Sequence, residues 1–186
     1  REAFAPKPLQ GVAYVDEALA VADGRHMMEP RVMARLLQAA EIKPTDAVLE
    51  IGCGAGYAAA VVSRIASSVV ALECDPDLAR QATEILHGLG MDTVCVVEGP
   101  LSEGYSGQAP YDVIFINGSV PEIPKGITAQ LAEGGRLVAV VGGDRRNRPG
   151  VGVLCRMAGG VAFGRDIFDA VAPPLPGFGE PAAFRL

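Results

Sequence analysis

The stretch Val48-Leu-Glu-Ile-Gly-Cys-Gly-Ala-Gly-Tyr57 constrains the fold more than any other part of the chain. A short apolar run passes into three alternating glycines, Gly52, Gly54 and Gly56, and then into a helix-forming segment. The next apolar run, Val69-Val-Ala-Leu72, ends in Glu73, about 20 residues beyond the glycines. A strand, a glycine turn, a helix and an acidic residue at the next strand end make a nucleotide-binding half-fold. Glycine takes up positive φ without a Cβ clash and lets a ligand approach the backbone. The carboxylate can accept both hydrogen bonds of a ribose diol.

Spacing chooses the nucleoside. A dinucleotide fingerprint, Gly-x-Gly-x-x-Gly, counted from Gly52 ends on Tyr57. Counted from Gly54 it ends on Ala59, which only the looser form allows. The plainer reading is Glu50-x-Gly52-x-Gly54-x-Gly56, which resembles the first motif of S-adenosylmethionine-dependent methyltransferases. No pyrophosphate has to be cradled there; the glycines admit a methionine tail and a ribose.

At 186 residues the chain suits one domain with a full core, and its composition, 49% apolar and 20% charged, is that of a globular protein. The net charge of -6 argues against nucleic acid as partner, since such proteins present a basic face. One basic cluster, Arg145, Arg146 and Arg148, reads as a solvated loop. The cysteines, Cys53, Cys74, Cys95 and Cys155, form no Cys-x-x-Cys pair, so zinc-ligand spacing is missing and no metal is expected. Buried reduced thiols in a cytoplasmic protein are the simplest reading, although Cys53 and Cys74 follow neighbouring strands. No apolar run reaches the roughly 18 residues of a membrane span, so no membrane partner is expected.

Residues 1–24 read as irregular, with Pro6, Pro8, Gly11 and Gly24 as breakers. Pro30 suits the first turn of a helix to about Ile42, with Val32, Met33, Leu36, Leu37 and Ala40 on its apolar side. Strands follow at 47–51, 69–73, 93–97, 111–116 and 136–141, with helices at 57–66, 76–87 and 122–132. Gly134-Gly135 ends the last helix. Continuous apolar strands predict a parallel sheet covered on both faces, an α/β doubly wound, Rossmann-like arrangement. Residues 1–45 form an N-terminal loop and helix, 46–141 the cofactor-binding core, and 142–186 a strand pair and a Pro/Gly-rich tail. In such sheets ligands sit beyond the carboxyl ends of the strands, where strand order reverses. Gly52–Gly56, Glu73, Glu98–Leu101 and Asn117–Ser119 should converge on that crevice.

Beyond the glycine motif, the chain resembles the protein-L-isoaspartate O-methyltransferases. Ala13-Tyr-Val-Asp-Glu-Ala-Leu19 is similar to the segment ahead of that family's active-site loop. Ala109-Pro-Tyr-Asp-Val-Ile114 resembles its fourth strand, and Pro121-Glu-Ile-Pro124, Gln130-Leu131 and Gly134-Gly-Arg-Leu-Val138 its next helix and strand. The likeness runs from about Arg1 to Val141 and weakens beyond. Members carry a helix ahead of the point where this chain begins, and the chain opens Arg1-Glu2-Ala3-Phe4 without a methionine, so it is expected to lack its native start.

The resemblance implies methyl transfer from S-adenosyl-L-methionine to the α-carboxylate of an L-isoaspartyl residue in a damaged protein or peptide. S-adenosyl-L-homocysteine is the other product, and the ester then promotes succinimide formation and repair. A carboxylate with a pKa near ~4 is ionised at neutral pH, so no general base is required. Catalysis is then alignment of oxygen, methyl carbon and sulfur. The implied cofactor residues are Glu50, Gly52, Cys53, Gly54, Gly56, Tyr57, Glu73, Cys74, Gly99, Pro100 and Leu101.

Two segments depart from the family pattern. Its loop Gly-Gln-Thr-Ile-Ser-Gln-Pro is Gly24-Arg-His-Met-Met-Glu-Pro30 here, so His26 and Met28 stand at the implied acceptor positions. A methionine cannot donate the hydrogen bond that the family's serine offers. Its Gly-Asp-Gly facing the adenine is Gly99-Pro100-Leu101, which removes a carboxylate and a backbone donor. Glu50 has two readings, a bond within the glycine loop or a grip on the amino end of the methionine. Tyr57 also has two, core packing or ligand contact. Arg25 beside His26 can attract an anionic acceptor. His87 sits near a helix end where the dipole accounts for it, and Asp112 is structural. The expected function is isoaspartyl methylation. The alternatives are a methyltransferase on another acceptor, such as a small carboxylate, and a non-catalytic S-adenosylmethionine-binding protein.

Overall fold

The computed structural model describes residues 1–143 and 149–179, so the basic cluster at 145–148 lies outside the described residues. Two short 3-10 turns, Glu2–Phe4 and Lys7–Val12, lead into an antiparallel hairpin of β1 (Leu19–Ala22) and β2 (Arg25–Met27). Helix α1 (Pro30–Ala40) starts with proline in its first turn and buries Met33, Leu36, Leu37 and Ala40. It ends at Glu41 in the left-handed region, φ 49°.

The alternating part then begins: β3 (Ala47–Ile51), α2 (Tyr57–Val62), β4 (Ser68–Glu73), α3 (Pro76–Gly88) and β5 (Val94–Glu98). It continues with β6 (Tyr111–Val120), α4 (Lys125–Thr128), β7 (Leu131–Val141), β8 (Gly150–Ala158) and β9 (Val161–Ala170). Seven strands pair in the order β5-β4-β3-β6-β7-β8-β9; the first five are parallel, and β8 and β9 run antiparallel. This is the expected mostly parallel, Rossmann-like α/β sheet, and its order reverses between β3 and β6. Alternate residues of the central strands feed two cores. Val48, Val69, Val113 and Phe115 pack with α1, α2 and α3, while Leu49, Leu72, Ile114 and Ile116 pack with Leu101, Tyr111 and Ile127. Burial on both faces explains why these strands read as unbroken apolar runs.

Three expectations need correction. The segment 1–24 is not wholly irregular, because β1 pairs with β2. The helix expected over 122–132 is the single turn α4, and β7 starts at Leu131 instead. Tyr111 pairs with Leu131 and Val113 with Arg136, so the residues between form a bulge, with Gly134 at φ 77° supplying its turn rather than ending a helix. Sheet pairing here outweighs local helix propensity. Finally, β6 continues past 116 to Val120, again with a register shift between Phe115 and Ser119. Among the described residues no helix is long and apolar enough to cross a membrane.

Candidate active site

The site lies at the carboxyl ends of β3, β4 and β6. Gly52, Gly54 and Gly56 hold φ of 83°, 57° and 94°, a backbone path that side chains with a Cβ rarely follow. The turn is tied to the sheet by Gly52 N and Cys53 N, both donating to Leu72 O, at 2.8 and 3.1 Å. Gly56 then opens α2.

Glu73 ends β4 with 0% exposure. Gly54 N donates to its Oε2 at 2.7 Å, and Cys74 N and Asp75 N donate to its Oε1 at 2.8 and 3.1 Å. Arg25, on β2, reaches across with both terminal nitrogens: Nη2 donates to Oε2 at 2.8 Å and Nη1 to Oε1. Burial alone would raise this carboxyl, but the Arg25 guanidinium and the backbone donors hold it below the ordinary carboxylate value. The carboxylate expected to accept a ribose therefore stands at the strand end, with a guanidinium on it.

Glu50 is fully buried one strand away. Its Oε1 accepts from Asn117 Nδ2 at 2.7 Å, while Glu50 Oε2 and Asn117 Oδ1 are buried without a partner among the described residues. Burial pushes its carboxyl up to about 8, against the pull of the Asn117 bond and with help from Glu73. No bond links it to the glycine loop among the described residues, so the first of its two readings gives way to the Asn117 contact. Asn117 sits where β6 shifts register, and this irregularity sets it beside Glu50.

His26, Gly52, Cys53, Gly54, Tyr57 and Asn117 share the wall of a small cavity of about 10 Å³, so the acceptor loop and glycine turn do meet. Cys53 is buried, and burial followed by the nearby Glu50 and Glu73 charges pushes its thiol well up, which keeps it protonated and unreactive. Tyr57 packs on Phe4, ring centroids 5.8 Å apart, under the Arg1 guanidinium. Met28, 1% exposed, belongs to the core beside Met27 and Met33.

A larger cleft of about 560 Å³ opens beside Arg25, walled by Asp23, Gly24, Cys74, Asp75 and the tail residues Pro174–Pro176. Its size suits a nucleoside-bearing ligand. Cys74 is exposed there. Gly99 N donates to Glu73 O at 3.0 Å and Pro100 is exposed, whereas Leu101 is buried in the core with Leu49 and Leu72. Gly99 and Pro100 are thus near the strand end, and Leu101 stands behind it. The tail is pinned by Ser119 N donating to Pro173 O at 2.8 Å and Leu175 N donating to Ser119 O at 2.9 Å.

The model of the protein-L-isoaspartate(D-aspartate) O-methyltransferase family matches residues 1–152. The chain belongs to this family. A protein-L-isoaspartate O-methyltransferase of Methanoculleus marisnigri is 43% identical over 142 residues, 76% of this chain and 64% of that protein. One from Rhodopseudomonas palustris is 37% identical over 196 residues, covering 100% of this chain and 80% of its own. The chain thus spans less than two thirds of the Methanoculleus protein. A solved protein-L-isoaspartate O-methyltransferase superposes with a TM-score of 0.83 at 28% identity, covering 96% of this chain and 59% of that one. A Plasmodium falciparum structure, described as a putative protein-L-isoaspartate O-methyltransferase in complex with S-adenosyl-L-homocysteine, shares the fold, with a TM-score of 0.76 at 20% identity. It covers 95% of this chain and 86% of its own.

Sequence reasoning brought Asn117 to the crevice and gave Arg25 a role toward an anionic acceptor, but missed what each of them touches, and it missed Leu175 altogether. Arg25 was visible only as a charge in the loop; nothing in the spacing tied it to Glu73. Asn117 was grouped with a loop rather than a strand irregularity. Leu175 gave no signal at all in a Pro/Gly-rich tail.

Proposed function

We propose that the chain is one methyltransferase domain that transfers a methyl group from S-adenosyl-L-methionine to the α-carboxylate of an L-isoaspartyl residue in a damaged protein or peptide. The carrying observation is a crevice where three positive-φ glycines, a strand-end carboxylate and two partnerless buried acceptors converge. The residues fit the cofactor. Glu50 Oε2 and Asn117 Oδ1 lack an N–H donor, which an amino-acid ammonium provides. Glu73 suits a ribose diol, the glycine turn suits a bare methionine chain, and the 560 Å³ cleft beside Arg25 and Cys74 has room for the base with an acceptor group next to it. The four unpaired cysteines support a reducing compartment, the cytoplasm.

When bound, S-adenosyl-L-methionine supplies a methyl group on a positively charged sulfur, which leaves as the neutral thioether of S-adenosyl-L-homocysteine. The acceptor is already an anion, so the chain's residues need not remove a proton. Their work is to fix the donor's sugar and amino ends at Glu73 and Glu50, bring the 24–30 loop over the methyl, and exclude water. Incubation with radiolabelled donor and an isoaspartyl peptide tests the reading: label in the peptide as a base-labile ester is expected. Heat with S-adenosyl-L-homocysteine but no label would leave the donor site and remove the isoaspartyl acceptor. Burial of Met28, with no hydrogen-bond donor to offer, favours as second reading the same reaction on another carboxylate.

A further inference from the structure

We propose that Arg25 is a two-position specificity residue, capping Glu73 while no sugar is bound and anchoring the acceptor's carboxylate once a ribose displaces it. The inference rests on the methyltransferase reading above and adds a residue and an order of binding to it.

A carboxylate offers about four lone-pair sites. Five N–H groups already point at Glu73: Gly54 N, Cys74 N, Asp75 N and the two Arg25 nitrogens. A ribose diol brings two further donors, so something must yield. The three backbone donors belong to the turns that follow β3 and β4 and cannot withdraw without unmaking them. Arg25 comes from the separate β1–β2 hairpin on a long side chain. Its fork also presents to the carboxylate what two vicinal hydroxyls present, a pair of parallel donors. Guanidinium and diol therefore compete for one place.

The released guanidinium has a nearby use. Arg25 lines the 560 Å³ cleft, and among that cleft's lining residues, which include Asp23 and Asp75, it is the one cation. An acceptor that is itself a carboxylate meets two acidic side chains there and needs a positive partner. Met28 has no hydrogen-bond donor in its side chain. Arg25, on β2 three residues earlier, offers a planar fork matched to a carboxylate. Donor binding thus uncovers the acceptor site, and the two ligands bind with positive coupling.

The test measures binding of an isoaspartyl peptide to the full chain by fluorescence anisotropy, with and without saturating S-adenosyl-L-homocysteine. S-adenosyl-L-homocysteine is expected to tighten the peptide by roughly tenfold, and Arg25→Gln to abolish that gain. The same variant should bind S-adenosyl-L-homocysteine more tightly than the parent, because the competing cap is gone. A structural role for Arg25 predicts neither change. Peptide affinity that ignores S-adenosyl-L-homocysteine in the parent, or a gain that survives in Arg25→Gln, overturns the proposal while leaving the function intact. Peptide that fails to bind while S-adenosyl-L-homocysteine does sinks the isoaspartyl reading and this inference together. No heat with S-adenosyl-L-homocysteine in either protein removes the methyltransferase reading itself.

Discussion

Leu175 packs directly onto Gly52: a Cβ added to that glycine would lie 2.7 Å from Leu175 Cδ2. The same side chain would meet a Cβ on Gly118 at 2.6 Å from its Cγ, so the tail seals two bare stretches of backbone at once. Gly52→Ala should therefore suffer twice, from its φ of 83° and from overpacking. The expected loss is about 2–4 kcal/mol in chemical denaturation. Adding Leu175→Ala relieves the steric part and leaves the backbone part, so the two changes should be non-additive. Strictly additive losses would show that the tail does not bear on the turn.

Glu50 makes stability depend on pH. Its folded-state value rises from the ordinary 4.5 to about 8, so the folded chain holds a proton that the unfolded chain has released. That contribution is complete below 4.5 and is lost as pH rises through about 8. Across this window the slope from Glu50 approaches about 1.4 kcal/mol per pH unit. Glu73 behaves in the opposite sense, since its lowered value adds stability above the ordinary carboxylate range and loses it on acidification. Glu50→Gln should flatten the decline between those limits and be the more stable protein at the alkaline end. Parallel curves for the two proteins in urea melts would contradict the buried, proton-holding assignment.

The fold was legible where burial leaves a continuous pattern. Strand β3 and helix α3 fall within a residue of expectation because Val48, Leu49 and Ile51 bury apolar side chains on both faces of a sheet and Asp75-Pro76 starts a helix unambiguously. Asp75 caps that helix by accepting from Asp77 N and Leu78 N. Legibility failed where pairing partners, not local pattern, decide the state. Gln130–Gly135 has the composition of a helix end, yet Tyr111 N donates to Gln130 O at 2.8 Å and draws the segment into the sheet. The candidate site splits the same way. Its glycines and Glu73 follow from spacing within one half-fold, whereas Arg25 and Leu175 reach it from elements far along the chain. Sequence periodicity carries no trace of such contacts.

Arg136 ties α1 to the sheet. Its Nε donates to Ala40 O at 2.9 Å and its Nη2 to Glu41 O at 3.0 Å, and it pairs with buried Asp46. Removing one member of a buried pair strands the other charge, so Arg136→Met should cost about 3–5 kcal/mol. Combining it with Asp46→Asn removes the stranded charge and should recover part of that loss. A surface pair such as Arg156 with Glu41 offers the contrast: Arg156→Ala should change stability by about 0–1 kcal/mol. Equal costs at the two sites would mean that burial is not what gives Arg136 its weight.

Met28→Ser sets stability against function. The side chain is 1% exposed within the core, so the substitution opens a cavity and buries a hydroxyl. A loss of about 2–5 kcal/mol is expected. If the loop is what limits isoaspartyl methylation, the serine restores a donor near the acceptor, and kcat/KM for an isoaspartyl peptide should rise below the lowered melting temperature. Met28→Ala is the necessary companion, because it makes nearly the same cavity without the hydroxyl. A gain in both variants would point to loosened packing of the 24–30 loop. A gain in the serine variant alone assigns the effect to the hydrogen bond, and no gain in either locates the acceptor's partners elsewhere.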